Sequence, residues 1–144
     1  MWIFFAVSAS MLWGITYVLG EHVYKKISVS TTLAFMCLMT SFVMFAISMV
    51  RDEWKKDIST IMTDRSALIL LLLVTVVFIL AELCIGFSIT AKNATLAGLI
   101  EISYPIFIAL FSYVLFKDNQ VTPGSIAGAL LIFSGIFVVY HFNQ

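Results

Sequence analysis

The run "ALILLLLVTVVFILAELCIGFSIT", Ala67 to Thr90, decides what kind of protein this is. It is apolar almost throughout and carries one charged side chain, Glu82. A bilayer's hydrocarbon core is about 30 Å thick, and about 20 apolar residues of helix are enough to cross it. Composition agrees, because 62% of the 144 residues are hydrophobic and 11% are charged, against about 25% charged in a soluble domain. The chain therefore reads as an all-α integral membrane protein.

Five such runs occur, at 2–20, 32–50, 67–90, 94–116 and 124–142, and they give a single five-helix membrane domain over 1–144. The separators "EHVYKKISVS", "RDEWKKDISTIMTDRS", "TAKNAT" and "KDNQVTPG" hold nearly all the charges. Backbone groups in lipid have no water to bond, so each span must be a helix, and short connections make consecutive helices antiparallel neighbours. The opening "MWIFFAVSASMLWG" has no basic head like that of a secretory signal, so the first run is expected to stay as a helix. The 51–66 segment mixes Arg51, Lys55, Lys56 and Arg65 with four acids around Trp54, which predicts an amphipathic surface helix.

Basic residues set orientation. Arg51, Lys55, Lys56, Arg65 and Lys117 fall on the side of the N-terminus, and Lys25, Lys26 and Lys92 on the other, a small bias toward a cytoplasmic N-terminus. Formal net charge is zero and the basic residues do not cluster, which excludes an electrostatic footprint for nucleic acid. Cys37 and Cys84 lie inside apolar runs and read as small hydrophobes. His22 and His141 have no partner at ligand spacing, and no phosphate loop or nucleophilic triad is signalled, so neither metal, cofactor nor enzyme is expected.

Polar groups inside the spans carry the functional signal. At 100° per residue, Ala94, Ala97, Gly98, Glu101 and Pro105 share one side of the fourth span, so Glu101 should project inward from a small-residue face. An acidic side chain at mid-membrane costs roughly 2.5 to 3.5 kcal/mol on insertion scales, and such groups mark substrate or proton pathways. Pro105 has no amide to give the carbonyl of Glu101, so acid and helix kink belong together. In the third span Thr75, Glu82, Gly86 and Asn93 line up likewise. Two carboxylates at similar depth repel if both ionise, so one should hold a proton near neutrality; Glu82 paired with Lys92 or a hydroxyl is the structural alternative.

The first span aligns Ser10, Gly14, Tyr17 and Glu21, with Trp13 beside them. Trp13, Tyr17 and Tyr104 are candidates for an aromatic wall around a cation. Gly124, Gly128 and Gly135 share a side of the fifth span and, with Gly14 and Gly98, are read as helix-packing positions within or between chains.

"LWG" at Leu12–Gly14, "ATLAGLIEISYPIFIALFSYVLF" in the fourth span and "VTPGSIAGALLIFSGIF" near the end, taken in this order, resemble one repeat of the EamA-like branch of the drug/metabolite transporter superfamily. The resemblance implies a five-helix repeat that exports or exchanges small organic solutes by alternating access. It also implies a glutamate in the loop before the last helix, where this chain has Asn119 beside Asp118; it assigns no role to Glu82 or Glu101. In two-repeat relatives an odd number of spans inverts the second repeat. A homodimer in the inner membrane, parallel or antiparallel, is therefore expected, with a small organic solute and protons as the species moved. A flippase for a lipid-linked sugar and a non-transporting accessory subunit are the rival readings.

Overall fold

The computed structural model describes residues 1–119 and 121–142. Seven helices follow one another: α1 (Trp2–Tyr24), α2 (Val29–Val50), α3 (Trp54–Thr63), α4 (Arg65–Ala91), α5 (Ala94–Glu101), α6 (Tyr104–Phe116) and α7 (Pro123–Phe142). Five spans are long and apolar enough to cross a membrane, with α5 and α6 together forming the fourth. The expected all-helical architecture is thus present among the described residues, and α3 is the expected surface helix.

The polar separators do more than interrupt the apolar runs; they cap the helices that follow them. The first amides of a helix have no partner inside it, so a short oxygen-bearing side chain just before the helix satisfies one. Ser28 accepts from the Thr31 amide at 3.3 Å ahead of α2. Asp64 accepts from Ser66 and Ala67 at 2.9 and 3.3 Å ahead of α4. Asn93 accepts from Leu96 at 2.8 Å ahead of α5. At α7, Thr122 and Ser125 bond reciprocally, each hydroxyl oxygen accepting from the other's amide at 3.1 and 2.7 Å, with Pro123 entering the first turn. Each loop in this way fixes where its span begins.

Two boundaries differ from those read off the apolar runs. α1 continues past residue 20 to Tyr24, because Gly20, Glu21 and His22 do not break a helix and Glu21 pairs with Lys25 one turn on, at 3.5 Å. The fourth span is not one helix: it is interrupted between Glu101 and Tyr104.

The chain divides into two compact units, Met1–Leu19 with Ala91 onward, and Gly20–Thr90. In the second unit, Gly86 of α4 is buried against α2, and Val29, Leu33 and Ile89 are buried too. A Cβ added at Gly86 would overlap Cγ1 of Val29, so glycine here permits a close helix approach of the kind that holds membrane bundles together. α3 contacts α2, and Trp54 sets its ring edge-on to Phe45 at 6.4 Å. In the first unit α5 contacts α7, and Ala94 and Ala97 of α5 are buried. Hydroxyls elsewhere in the spans bond their own helices, as Thr75 does to the Leu71 carbonyl at 2.7 Å and Ser41 to Leu38 at 2.8 Å, so they need no outside partner.

Gly86→Ala should destabilise the protein by about 1 to 3 kcal/mol through overpacking against Val29. Thermal unfolding in detergent checks this: the midpoint should fall in Gly86→Ala and recover in part when Val29→Ala is added. An unchanged midpoint in the single variant would contradict the close approach.

Candidate functional site

Glu101 is the last residue of α5, and the interruption of the span begins there. Position 105, which would return its amide to the Glu101 carbonyl in an unbroken helix, is Pro105, placed in the first turn of α6. The chain crosses the gap through tightened turns. Ser103 donates to Ile100 at 3.2 Å and Ile106 donates to Ser103 at 3.0 Å, both three residues apart instead of four. The expected kink is therefore a full break, and it sits at the acid itself.

The half-buried carboxylate is met from α1. The Tyr17 hydroxyl donates to Glu101 Oε2 at 2.5 Å, the length typical of an O–H to an ionised acceptor. Glu101 Oε1 has no hydrogen-bond partner among the described residues. Gly98, one turn before the acid, lets the tyrosine lie flat on α5: a Cβ there would sit 3.5 Å from Cδ2 of the Tyr17 ring. On the tyrosine's other side the Trp13 ring lies 5.8 Å away, tilted by 53°. Four of the residues singled out in the sequence, Trp13, Tyr17, Gly98 and Glu101, thus meet in one place.

Charge balance makes this place unusual. α1 up to Leu19 has no acidic or basic side chain, α6 has none, and α7 has only His141, near its end. No ion pair to Glu101 occurs among the described residues. Its compensation inside this unit is a neutral hydroxyl. A hydrogen bond to a charged group is worth about 1.5 to 3 kcal/mol, whereas an ionised acid at mid-membrane costs roughly 2.5 to 3.5. One hydroxyl leaves a deficit that a proton or a bound cation removes.

The remaining candidates distribute as follows. Tyr104 is exposed and takes no part in the Trp13–Tyr17 ring pair. Within their own unit, no described atom lies within 4 Å of a Cβ built on Gly14, Gly128 or Gly135, and Gly124 meets only Thr122 of its own cap, at 3.8 Å. A seam at these glycines is accordingly not formed inside the unit. Asn119 accepts from the Val121 amide at 3.1 Å, a local turn contact. Glu82 belongs to the other unit, half-buried on α4 and within electrostatic reach of the Tyr24 hydroxyl. That hydroxyl lies 3.6 Å from a Cβ built on Gly86, one turn beyond the acid. Tyr24 is the participant that sequence reasoning missed, although its position seven residues after Tyr17 puts it on the same side of α1 by helical arithmetic.

A multi-pass helical membrane protein with an acid at the broken point of a span belongs among proteins that bind solutes at membrane depth, where broken helices expose backbone and charge. The chain matches the EamA-like transporter family over residues 1–141 and belongs to it. It is thus a membrane transporter of the drug/metabolite transporter superfamily. No curated protein and no solved structure is significantly similar to it.

Two substitutions test the geometry. Pro105→Ala restores an amide for the Glu101 carbonyl, so hydrogen exchange across 102–105 should slow roughly tenfold, the worth of one backbone hydrogen bond; unchanged exchange would remove Pro105 as the cause of the break. Gly98→Ala should leave stability within about 0.5 kcal/mol of wild type, since the added methyl reaches ordinary contact distance from Tyr17. Gly98→Leu should displace the ring and lower the unfolding midpoint.

Proposed function

We propose that this transporter exchanges a small organic cation for protons across the cell's inner membrane by alternating access, working as a homodimer of five-helix repeats. Glu101 is the group that binds proton and cation in turn. The observation that carries this reading is the one just described: an intramembrane carboxylate at a helix break, held by a neutral hydroxyl, with no fixed cation beside it in its unit. Such a carboxyl is stable when neutral with its proton or when paired with a cationic ligand, and the two states exclude each other. Exchange of one for the other is coupling.

Trp13 and Tyr17 offer ring faces beside the acid, which favours a positively charged ligand over an anionic or neutral one. The break lets α6 reorient about residues 102–103 without unwinding either helix, the kind of loosened joint that discontinuous spans provide in transporters. The glycine side of α7, uncovered at Gly128 and Gly135 within its unit, suits the close approach of a second copy. That copy would supply the second repeat that alternating access uses. Glu82, facing Tyr24, is the secondary candidate for a proton site.

Adding small organic cations to the detergent-purified protein in weakly buffered solution should release protons, read with a pH-sensitive dye. Release should vanish in Glu101→Gln and persist, reduced at most severalfold, in Glu82→Gln. Cation binding without proton release, or release that survives Glu101→Gln, would contradict the proposed coupling.

A further inference from the structure

The two oxygens of Glu101 are not equivalent, and the difference bears on which cations the site accepts. Oε2 is occupied by the Tyr17 hydroxyl at 2.5 Å, while Oε1 has no partner among the described residues. The hydroxyl is held in place by its ring, which lies on α5 at Gly98 and beside Trp13 at 5.8 Å, so it cannot swing clear without losing both contacts. We infer that Tyr17 is the specificity-determining residue of this site: by blocking one carboxylate oxygen it selects a protonated amine, with an N–H and a compact charge, over guanidinium and quaternary ammonium cations. The inference rests on the reading of Glu101 as the cation-binding group.

The chemistry of the three cations separates them. A guanidinium binds a carboxylate best through two parallel N–H···O contacts and needs both oxygens. With Oε2 already taken, it keeps one contact of the two. A quaternary ammonium has no N–H at all; it can use the ring faces, but it leaves Oε1 desolvated and unpaired. A protonated amine makes its one short contact to Oε1 and directs its remaining charge toward the rings of Trp13 and Tyr17. Tyr17 touches the acid and excludes the fork, so it shapes selectivity through geometry more than through affinity.

The test uses three probes with the same alkyl tail: an alkylammonium, an alkyltrimethylammonium and an alkylguanidinium, titrated against the full-length protein in lipid nanodiscs. Wild type should bind the ammonium about tenfold more tightly than the trimethylammonium, and severalfold more tightly than the guanidinium, as one charge-assisted hydrogen bond gained or lost requires. In Tyr17→Phe, which keeps the ring on Gly98 and frees Oε2, the guanidinium should gain about tenfold relative to the ammonium. The order of affinities in wild type tests the inference even if the variant does not fold. Guanidinium or trimethylammonium binding most tightly to wild type, or an unchanged preference in folded Tyr17→Phe, with binding abolished by Glu101→Gln, would overturn the role of Tyr17 and leave Glu101 as the binding group. Binding that survives Glu101→Gln, or no binding of any probe to wild type, would overturn both.

Discussion

The hydrogen bond from Tyr17 to Glu101 joins the first helix of the chain to the broken fourth span, and much of the first unit is arranged around it. Gly98 has no side chain because the tyrosine ring needs that space. Pro105 ends the span's continuity at the residue whose side chain the tyrosine holds. Helices rich in Leu, Ile and Phe surround an acid that a lone hydroxyl does not fully stabilise when ionised, and that shortfall makes the acid responsive to protons and cations. A salt bridge at the same point would have fixed the charge and removed the response.

The other unit repeats the motif in outline. Glu82 has the hydroxyl of Tyr24 in electrostatic reach, and the same hydroxyl lies beside Gly86. The two acids differ in their helices: Glu101 terminates one, whereas Glu82 lies within the unbroken α4. Only the first is accompanied by a loosened backbone. This is the physical ground for ranking Glu101 above Glu82 as the site of exchange.

Most of the fold is legible in the sequence because lipid imposes one rule, that backbone polarity be satisfied within each helix. Apolar runs gave the spans, and Ser28, Asp64, Asn93 and Thr122 mark their starts by capping chemistry that acts over three residues. Glu101 and Pro105 were legible for the same local reason, although the run of apolar residues hid that the helix stops there. Contacts between helices were not. Tyr17 reads from the sequence as part of an aromatic wall, and its role as a donor to Glu101 depends on which helix lies against α5, which no local pattern encodes. The glycines show the same limit. Gly86 is pressed against Val29, Gly98 lies under a tyrosine ring, and Gly128 meets no described atom of its unit, yet all three sit in similar small-residue patterns.

That Glu101 trades a proton for a cation is the central claim, and infrared difference spectroscopy tests it most directly. Adding an alkylammonium ligand to the protein in lipid should remove a carboxylic-acid C=O band and produce a carboxylate band, and both changes should be missing in Glu101→Gln. Ligand binding without any carboxyl change, or the same change persisting in Glu101→Gln, would contradict it.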